Sequence, residues 1–563
     1  MMSEKIIVVG LDGATFDLIH PWVQEGRLPN IARILREGAA GPLLSTVPPM
    51  TAPAWTTFMT GKNVGKHGIV DFIMRQPGSY ALQIVNASNR HSRTFWAYLS
   101  SLGKQVGVLN MPMTYPPEPV NGFLISGMDT PSIQSRFTHP PELQEELLER
   151  FPDYTIETRS FPLMYGPRQD PARLVKELIR SEEKRYEVGQ FLRSRFPCDL
   201  FVILFRSTDL VQHWFWKNLD PNHPHRQPED EQFSQAILQV YQHMDQLLGR
   251  YMSEVKTLIV LSDHGAGPVG DRVVYLNTWL RDQGWLSFQS SRLQRFRSQF
   301  LTKELWRMWV WIRSAVPRRP REWLLGRFSE VRRQLPSLFV LSDIDWDRTR
   351  AYSLEVRGTI WINLKGREPK GIVSPGAEYE ALRDEIAQRL LGMRDPLTDE
   401  PLVARVYKRE ELYHGPFLNL IPDLLVVWAS EPYMPLTLHG TLSQRKYPVE
   451  ILDKRQLAQL TRPNASHKLN GICMLWGENI TPGAHIEGAR LQDIAPTILY
   501  LMDVPIPSDM DGRVLSEVID SQYRARHPVQ YLENVLDMAG RQSGYEMSEE
   551  KQVLDRLSDL GYI

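Results

Sequence analysis

Cysteine is nearly missing from this chain: Cys198 and Cys473 are the only two in 563 residues. Two thiols cannot make a disulfide framework for so long a chain, and their scarcity points to a reducing compartment. Net charge is missing as well. The 65 Lys and Arg against 66 Asp and Glu leave no global field to recruit nucleic acid, so a charged partner must be met by a local patch. No apolar stretch reaches the ~18 residues needed to span a bilayer. The opening MMSEKIIVVG has neither a basic n-region nor a long apolar h-region, so it does not read as a signal peptide. A cytoplasmic protein without a transmembrane segment is expected. What is present in quantity is hydrophobic residue, 42% of the chain, enough for a large core and several structural units.

The run Ile6-Ile7-Val8-Val9 is continuously β-branched, as suits a strand covered on both faces. A helix is predicted from Asn30 as N-cap to Gly38 as terminator. Leu200–Phe205 and Leu258–Leu261 read as further buried strands, with a helix from about 232 to 251 between them. Strand and helix alternation argues for a parallel α/β sheet, in which ligands collect beyond the carboxyl ends of strands. From about Arg350 to Arg513 the α/β pattern returns, with strands at Thr359–Asn363 and Leu424–Trp428 and a helix at Glu378–Leu391. The tail beyond Val514 is polar and helical. Residues 276–345 differ: arginines are dense between Arg292 and Arg333, and Trp306, Trp309, Trp311 and Trp323 are interleaved. Such composition suits either a helical cap whose tryptophans pack on the core or a face for anionic membrane. The expected organisation is thus a core of 1–275 and 346–515, a basic Trp-rich helical insertion at 276–345, and a tail at 516–563.

Several apolar runs end on residues with chemistry. Asp12 follows the first strand in GLDGA, where the flanking glycines let backbone and an ion approach closely. Asp209 and His213 are four apart and share one face if helical, where both can grip one metal. Asp263 and His264 leave a buried strand. Adjacent residues of an extended chain point opposite ways, so the pair meets one ion only if the chain bends, as Gly265, Ala266 and Gly267 would permit. Thr51 lies between prolines ahead of a helix expected near Pro53, where a helix N-terminus favours an anion. His467 stands before another apolar run. Carboxylate and imidazole ligands without thiolate suit Zn²⁺, with Mn²⁺ and Fe²⁺ as alternatives.

GLDGA, TAPAWTTFMTGKNVGKHGI, STDLVQH, SDHG, SHKLNGI and the stretch ARLQDIAPTILYLMDVPIPSDMDGRVL (489–515) resemble, in order, the type I phosphodiesterase/nucleotide pyrophosphatase branch of the alkaline phosphatase superfamily. The resemblance covers nearly the whole chain and is weakest over 276–345. It implies an alkaline-phosphatase-like three-layer α/β/α sandwich with a mainly parallel central sheet. It also implies a two-metal phosphoric ester hydrolase in which Asp12, Thr51, Asp263 and His264 hold one ion and Asp209, His213 and His467 the other. Zinc is the family's usual metal. Thr51 would be the nucleophile, passing through a phosphothreonine intermediate.

One position departs from that pattern. Phe72, in His67-Gly68-Ile69-Val70-Asp71-Phe72, stands where nucleotide pyrophosphatases carry an Asn that binds a phosphoryl oxygen. Another donor must serve, with the backbone near Ala52, Lys66, Arg206 and Lys468 as candidates, and nucleotide pyrophosphatase activity as such is disfavoured. The motifs contain no dedicated Arg for a monoester dianion, so a phosphodiester is the expected substrate, either a small molecule or a phospholipid headgroup. A phosphomonoesterase or a phosphotransferase on the same metals is the alternative. Thr51-Ala52-Pro53-Ala54-Trp55 lacks the Cys or Ser and the Arg that a sulfatase needs. A non-catalytic protein that binds anionic lipid or polymer through 292–333 is the reading from a different class. Specificity is expected from the insertion and from loops such as Gly366–Gly371.

Overall fold

The β-branched opening run forms strand β1 (Glu4–Leu11) and sits at the centre of a ten-stranded sheet. The structure is a computed structural model that describes residues 4–158, 160, 163–164, 170–289, 344–354, 358–429, 433–437, 445–458, 463–533, 544–545 and 547–559. The basic segment 292–333 and most of the 276–345 insertion lie outside the described residues.

After β1 come α1 (Pro29–Glu37), β2 (Ala39–Leu44) and α2 (Thr51–Thr60), then β3 (Val106–Met111), β4 (Gly122–Ser126) and β5 (Leu200–Phe205). Next are α3 (Ser207–Leu219), α4 (Ala236–Met252), β6 (Val255–Leu261) and β7 (Gly265–Val274). β1 pairs in parallel with β5 on one side and β6 on the other, and β3 and β4 continue the parallel run. β5 is buried along its whole length, as a strand covered on both faces must be. Gly189, in the helix Pro171–Arg195, lies against Phe201, whereas Trp55 of α2 packs on Gly10 and Leu204. Phe201 and Leu204 face opposite sides of one strand. The two helix layers therefore cover opposite faces, and the molecule is an α/β/α sandwich.

Several boundaries differ from the sequence reading. α1 starts at Pro29, and Leu28 is its N-cap. Asn30 instead bonds Asp245 of α4 through Nδ2 at 2.9 Å. Proline at the first helical position needs no N–H partner, which decides the start. The helix expected at 232–251 begins at Ala236, because Pro228–Phe233 forms a 3₁₀ turn first.

The second half holds the largest difference. The expected strands form as β8 (Thr359–Ile362) and β10 (Leu424–Trp428), with α5 (Ala377–Leu391) and β9 (Val403–Lys408) between them. They do not extend the central sheet. With Ala351–Tyr352 they make a separate antiparallel sheet over its own hydrophobic cluster of Trp279, Ile360, Ile362, Leu382 and Ile386. β9 is only partly buried, with Ala404 and Arg405 exposed, which an antiparallel sheet tolerates and a doubly covered one does not. The chain then returns through β11 (Ala465–Lys468) and β12 (Asn470–Gly477); β12 lies antiparallel between β2 and β6. The loop Gly366–Gly371 is tied down. Arg367 bonds both oxygens of Asp423, and Glu368 pairs with Arg75 of the main core.

Candidate metal and nucleophile site

β6, β1 and β5 lie side by side, and an acid follows each: Asp12 and Asp263 within two residues of the strand ends, and Asp209 in the first turn of α3 after β5. Asp12 leaves β1 with its N–H held by Phe205 O at 3.0 Å. Asp209 and His213 share one face of α3, with His213 Nε2 3.2 Å from Asp209 Oδ1. Asp263 and His264 fill the break between β6 and β7, and His264 Nε2 lies 3.2 Å from Asp263 Oδ2. The chain does bend there. Gly265 serves a purpose beyond bending, since a Cβ on it would sit 2.2 Å from Asn470 O. Gly13, at φ +65°, is required twice over: its backbone is left-handed, and a Cβ would meet Asp209 Oδ1 at 2.9 Å.

Pairing brings in the distant histidine. β11 lies antiparallel to β7 with Ala266 opposite His467. The His467 ring stacks on His264 at 3.6 Å between centroids, and its Nε2 is 3.1 Å from His213 Nε2 and 3.6 Å from Asp209 Oδ1. Thr51 is the first residue of α2, a helix buried on every side, and its Oγ is 3.4 Å from His264 Nε2. The helix begins two residues before Pro53, with Met50 as N-cap. All seven side chains thus meet in one place, at the N-terminal ends of α2 and α3, where helix dipoles favour an anion.

The donor set fits divalent cations on two counts. His213, His264 and His467 each direct Nδ1 at a backbone carbonyl, of Ala465 (2.9 Å), Gly265 (3.0 Å) and Pro49 (2.8 Å). A carbonyl only accepts, so Nδ1 carries the proton and every Nε2 turns a lone pair inward. The carboxylates facing those lone pairs are fully buried, yet Asp12 Oδ1, Asp263 Oδ2 and both oxygens of Asp209 have no hydrogen-bond donor. A cluster of acceptors facing acceptors is unfavourable until positive charge enters it. Ligand atoms of Asp12, Asp263 and His264 lie within 4.8 Å of one another, as do those of Asp209, His264 and His467. His264 therefore reaches both groups, where the sequence reading gave it to one.

The proton affinities express the same crowding. Burial, with Asp209 close by, pushes Asp12 up to about 7 against the opposing pull of Arg206. Burial and the charges of Asp12 and Asp209 hold Asp263 well above the usual carboxylate range. Burial would raise Asp209 too, but the nearby His213, His264 and Arg206 draw it far below that range.

The four residues proposed from sequence for phosphoryl contact are placed as follows. Ala52 is buried in the first turn of α2. Lys66 pairs with Asp511 at 2.5 Å, and Lys468 Nζ with Asp17 Oδ2 at 3.0 Å. Arg206 is fully buried beneath the carboxylates: Nε is 3.0 Å from Asp12 Oδ2 and Nη1 2.6 Å from Glu157 Oε2. Phe72 is buried in the main core. Sequence reasoning missed Glu157, Glu182 and Tyr413. Tyr413 accepts from Val47 N (2.8 Å) and donates to Val47 O (3.0 Å), pinning the loop that carries Thr51. No local motif marks any of them, because their partners lie far away in sequence.

Comparison with known proteins gives the following. A family model described as type I phosphodiesterase / nucleotide pyrophosphatase matches residues 6–441. Phosphonoacetate hydrolase from Sinorhizobium meliloti 1021, solved with phosphonoformate, is 15% identical over 88% of this chain and 94% of its own, with a TM-score of 0.48. Murine ectonucleotide pyrophosphatase/phosphodiesterase 5 is 13% identical over 89% and 95%, with a TM-score of 0.44. The alkaline phosphatase PafA is 13% identical over 92% and 99%, with a TM-score of 0.46. Among curated proteins, a 2,3-bisphosphoglycerate-independent phosphoglycerate mutase of Bacteroides thetaiotaomicron is 40% identical over 62 residues, which span 11% of this chain and 12% of that relative's length.

Proposed function

Since the chain belongs to the type I phosphodiesterase / nucleotide pyrophosphatase family, whose members are metal-dependent phosphoester hydrolases, we propose that it cleaves phosphodiesters with Thr51 as nucleophile beside two divalent cations. Zinc is the assigned metal, with Mn²⁺ and Fe²⁺ as alternatives. Asp12, Asp263, His264 and Thr51 would hold one ion, and Asp209, His213 and His467 the other. When bound, the ions lower the proton affinity of the hydroxyl and neutralise charge on the phosphoryl group.

The observation that carries this reading is the inward turn of three imidazole lone pairs onto donorless carboxylate oxygens beside Thr51 Oγ. Thr51 Oγ gives up its proton and bonds phosphorus as the bond to the leaving oxygen breaks; the leaving oxygen takes up a proton and departs as the alcohol, giving phosphothreonine. Water then attacks from the vacated side, the phosphorus–Thr51 bond breaks, and Oγ recovers its proton. Backbone N–H groups at the start of α2 face the incoming anion. Diesters are favoured because Arg206, Lys66 and Lys468 each already meet a carboxylate, so a monoester dianion finds little added charge. The short match to a phosphoglycerate mutase favours, as a second reading, transfer of the phosphoryl group to an acceptor other than water. Contact with anionic lipid through the basic segment 292–333, which lies outside the described residues, belongs to the same proposal.

Hydrolysis of bis(p-nitrophenyl) phosphate by zinc-loaded protein tests the proposal. Thr51→Ala is expected to abolish turnover while elemental analysis still finds about two metals per chain. Turnover at the wild-type level in that variant would remove Thr51 from the chemistry.

A further inference from the structure

Among the described residues, the fully buried Arg206 is the arginine that lies close to a carboxylate of each ligand group, 3.0 Å from Asp12 and 3.6 Å from Asp209. We infer that Arg206 is a positioning residue that fixes the two halves of the metal centre relative to each other, and is not a substrate contact. This inference rests on the two-metal reading above.

The contacts divide the work atom by atom. Arg206 Nε is 3.0 Å from Asp12 Oδ2, and Nη2 is 3.6 Å from Asp209 Oδ2. The remaining oxygens, Asp12 Oδ1 and Asp209 Oδ1, face imidazole: the first lies 3.7 Å from His264 Nε2, the second 3.2 Å from His213 Nε2 and 3.6 Å from His467 Nε2. One guanidinium therefore hydrogen-bonds the outer oxygen of Asp12 and sets its charge 3.6 Å from the outer oxygen of Asp209, so that Oδ1 of each acid is left turned inward. A planar fork of fixed geometry suits this task, and a single ammonium does not.

The fork is itself held. Glu157 Oε2 receives Nη1 at 2.6 Å. Glu182 Oε1 receives the N–H groups of Arg206 (2.9 Å) and Ser207 (2.8 Å) and the Ser207 hydroxyl (2.6 Å), while its Oε2 pairs with Arg185. Glu157, Glu182, Arg185 and Arg206 are all buried to within a few per cent. A substrate phosphate would have to displace Asp12 and Glu157 to reach such a guanidinium, at the desolvation cost of two buried acids. In sequence Arg206 is one of the candidates to replace the Asn missing at Phe72, because its buried acidic partners Asp12 and Glu157 lie far from it along the chain.

The test uses full-length protein stripped of metal and reloaded with Zn²⁺ or Mn²⁺. Wild type and Arg206→Lys are compared by chelator-competition titration, by electron paramagnetic resonance of the Mn²⁺ form, and by kcat and KM for bis(p-nitrophenyl) phosphate. The expected result is that affinity at both sites falls together by 10- to 100-fold, on the order seen when partners of metal ligands are removed. The Mn²⁺–Mn²⁺ coupling signal should change, and kcat should fall while KM stays within about two-fold, since uniform binding is untouched. Two wild-type affinities and an unchanged coupling signal in Arg206→Lys would overturn the inference. So would a raised KM with metal binding intact, which would make Arg206 a substrate contact. Should Arg206→Lys fail to fold, Glu157→Gln keeps the guanidinium and removes its anchor; it is expected to weaken both sites in the same way, and unaltered affinities at both would count against the inference. Failure of the wild type to bind two ions would contradict the two-metal reading itself and is distinguished by the same titration.

Discussion

At the scale of single residues, the histidines divide by which ring nitrogen faces what. His213, His264 and His467 turn Nε2 toward carboxylates, whereas His67 is closed within the fold. Its Nδ1 accepts from Ile69 N at 3.2 Å, so Nε2 carries the proton and donates to Thr57 Oγ at 3.0 Å. Burial, reinforced by Arg90, lowers His67 to about 3 from an ordinary 6.5. The sign follows from linkage. The folded state holds His67 neutral while the unfolded chain takes up a proton below 6.5, so this contribution to stability is complete above pH 6.5 and is lost as pH falls toward 3. The difference in unfolding free energy between wild type and His67→Gln should be flat above pH 6.5. Below it the difference should shrink by up to ~1.4 kcal/mol per pH unit, as read by urea melts. A difference that stays constant down to pH 4 would refute the neutral assignment. Asp12 and Asp263 of the proposed centre were legible because each follows a strongly apolar run, Ile6–Val9 for the first and Leu258–Leu261 for the second. Glu157 and Glu182 were not, since an acid in a loop or on a charged helix looks the same whether it meets water or a buried Arg206.

At the scale of elements, placement of Thr51 depends on what surrounds α2. Its approach loop is held at Val47 by Tyr413 and at Pro49 by His467. Tyr413 packs with Val47, Val64 and Ile421 in a cluster that joins the two units. Tyr413→Phe keeps the ring and leaves the buried N–H and C=O of Val47 without partners, at ~1–3 kcal/mol. Turnover of a small diester is expected to fall by about ten-fold with metal content unchanged, since ~1.4 kcal/mol is a factor of ten in rate. Full turnover by Tyr413→Phe would show that the loop holds its shape unaided. β1, β5 and β6 of the central sheet were readable from their unbroken apolar runs, whereas β2, β3 and β4 were not singled out. The starts of α1 and α4 were not readable, because Pro29 and the 3₁₀ turn at Pro228–Phe233 move them locally. Membership of β8 and β10 in a separate sheet was not readable either. A short apolar strand has the same sequence signature in either sheet, and only the packing of α5 decides.

At the scale of the whole molecule, two hydrophobic cores are joined by ion pairs, such as Arg75–Glu368, whose side chains are 5% and 0% exposed, and by the Tyr413 cluster. Among the described residues no helix is long and apolar enough to cross a membrane. Contact with a lipid surface would fall to the arginines of 292–333. Arg318→Gln, Arg319→Gln and Arg321→Gln together are expected to weaken affinity for anionic vesicles by about two orders of magnitude, at ~1 kcal/mol per charge removed, as read by cosedimentation, and to leave hydrolysis of bis(p-nitrophenyl) phosphate unchanged. Loss of that small-substrate activity would instead place the segment over the catalytic centre.

The central claim is that two ions sit among Asp12, Asp209, His213, Asp263, His264 and His467, beside the Thr51 hydroxyl. Anomalous diffraction at the zinc edge from crystals of zinc-loaded protein addresses it most directly. The account predicts two peaks flanking Thr51 Oγ, one against Asp12, Asp263 and His264 and the other against Asp209, His213 and His467. A single peak, or zinc bound elsewhere with this cluster empty, would contradict it.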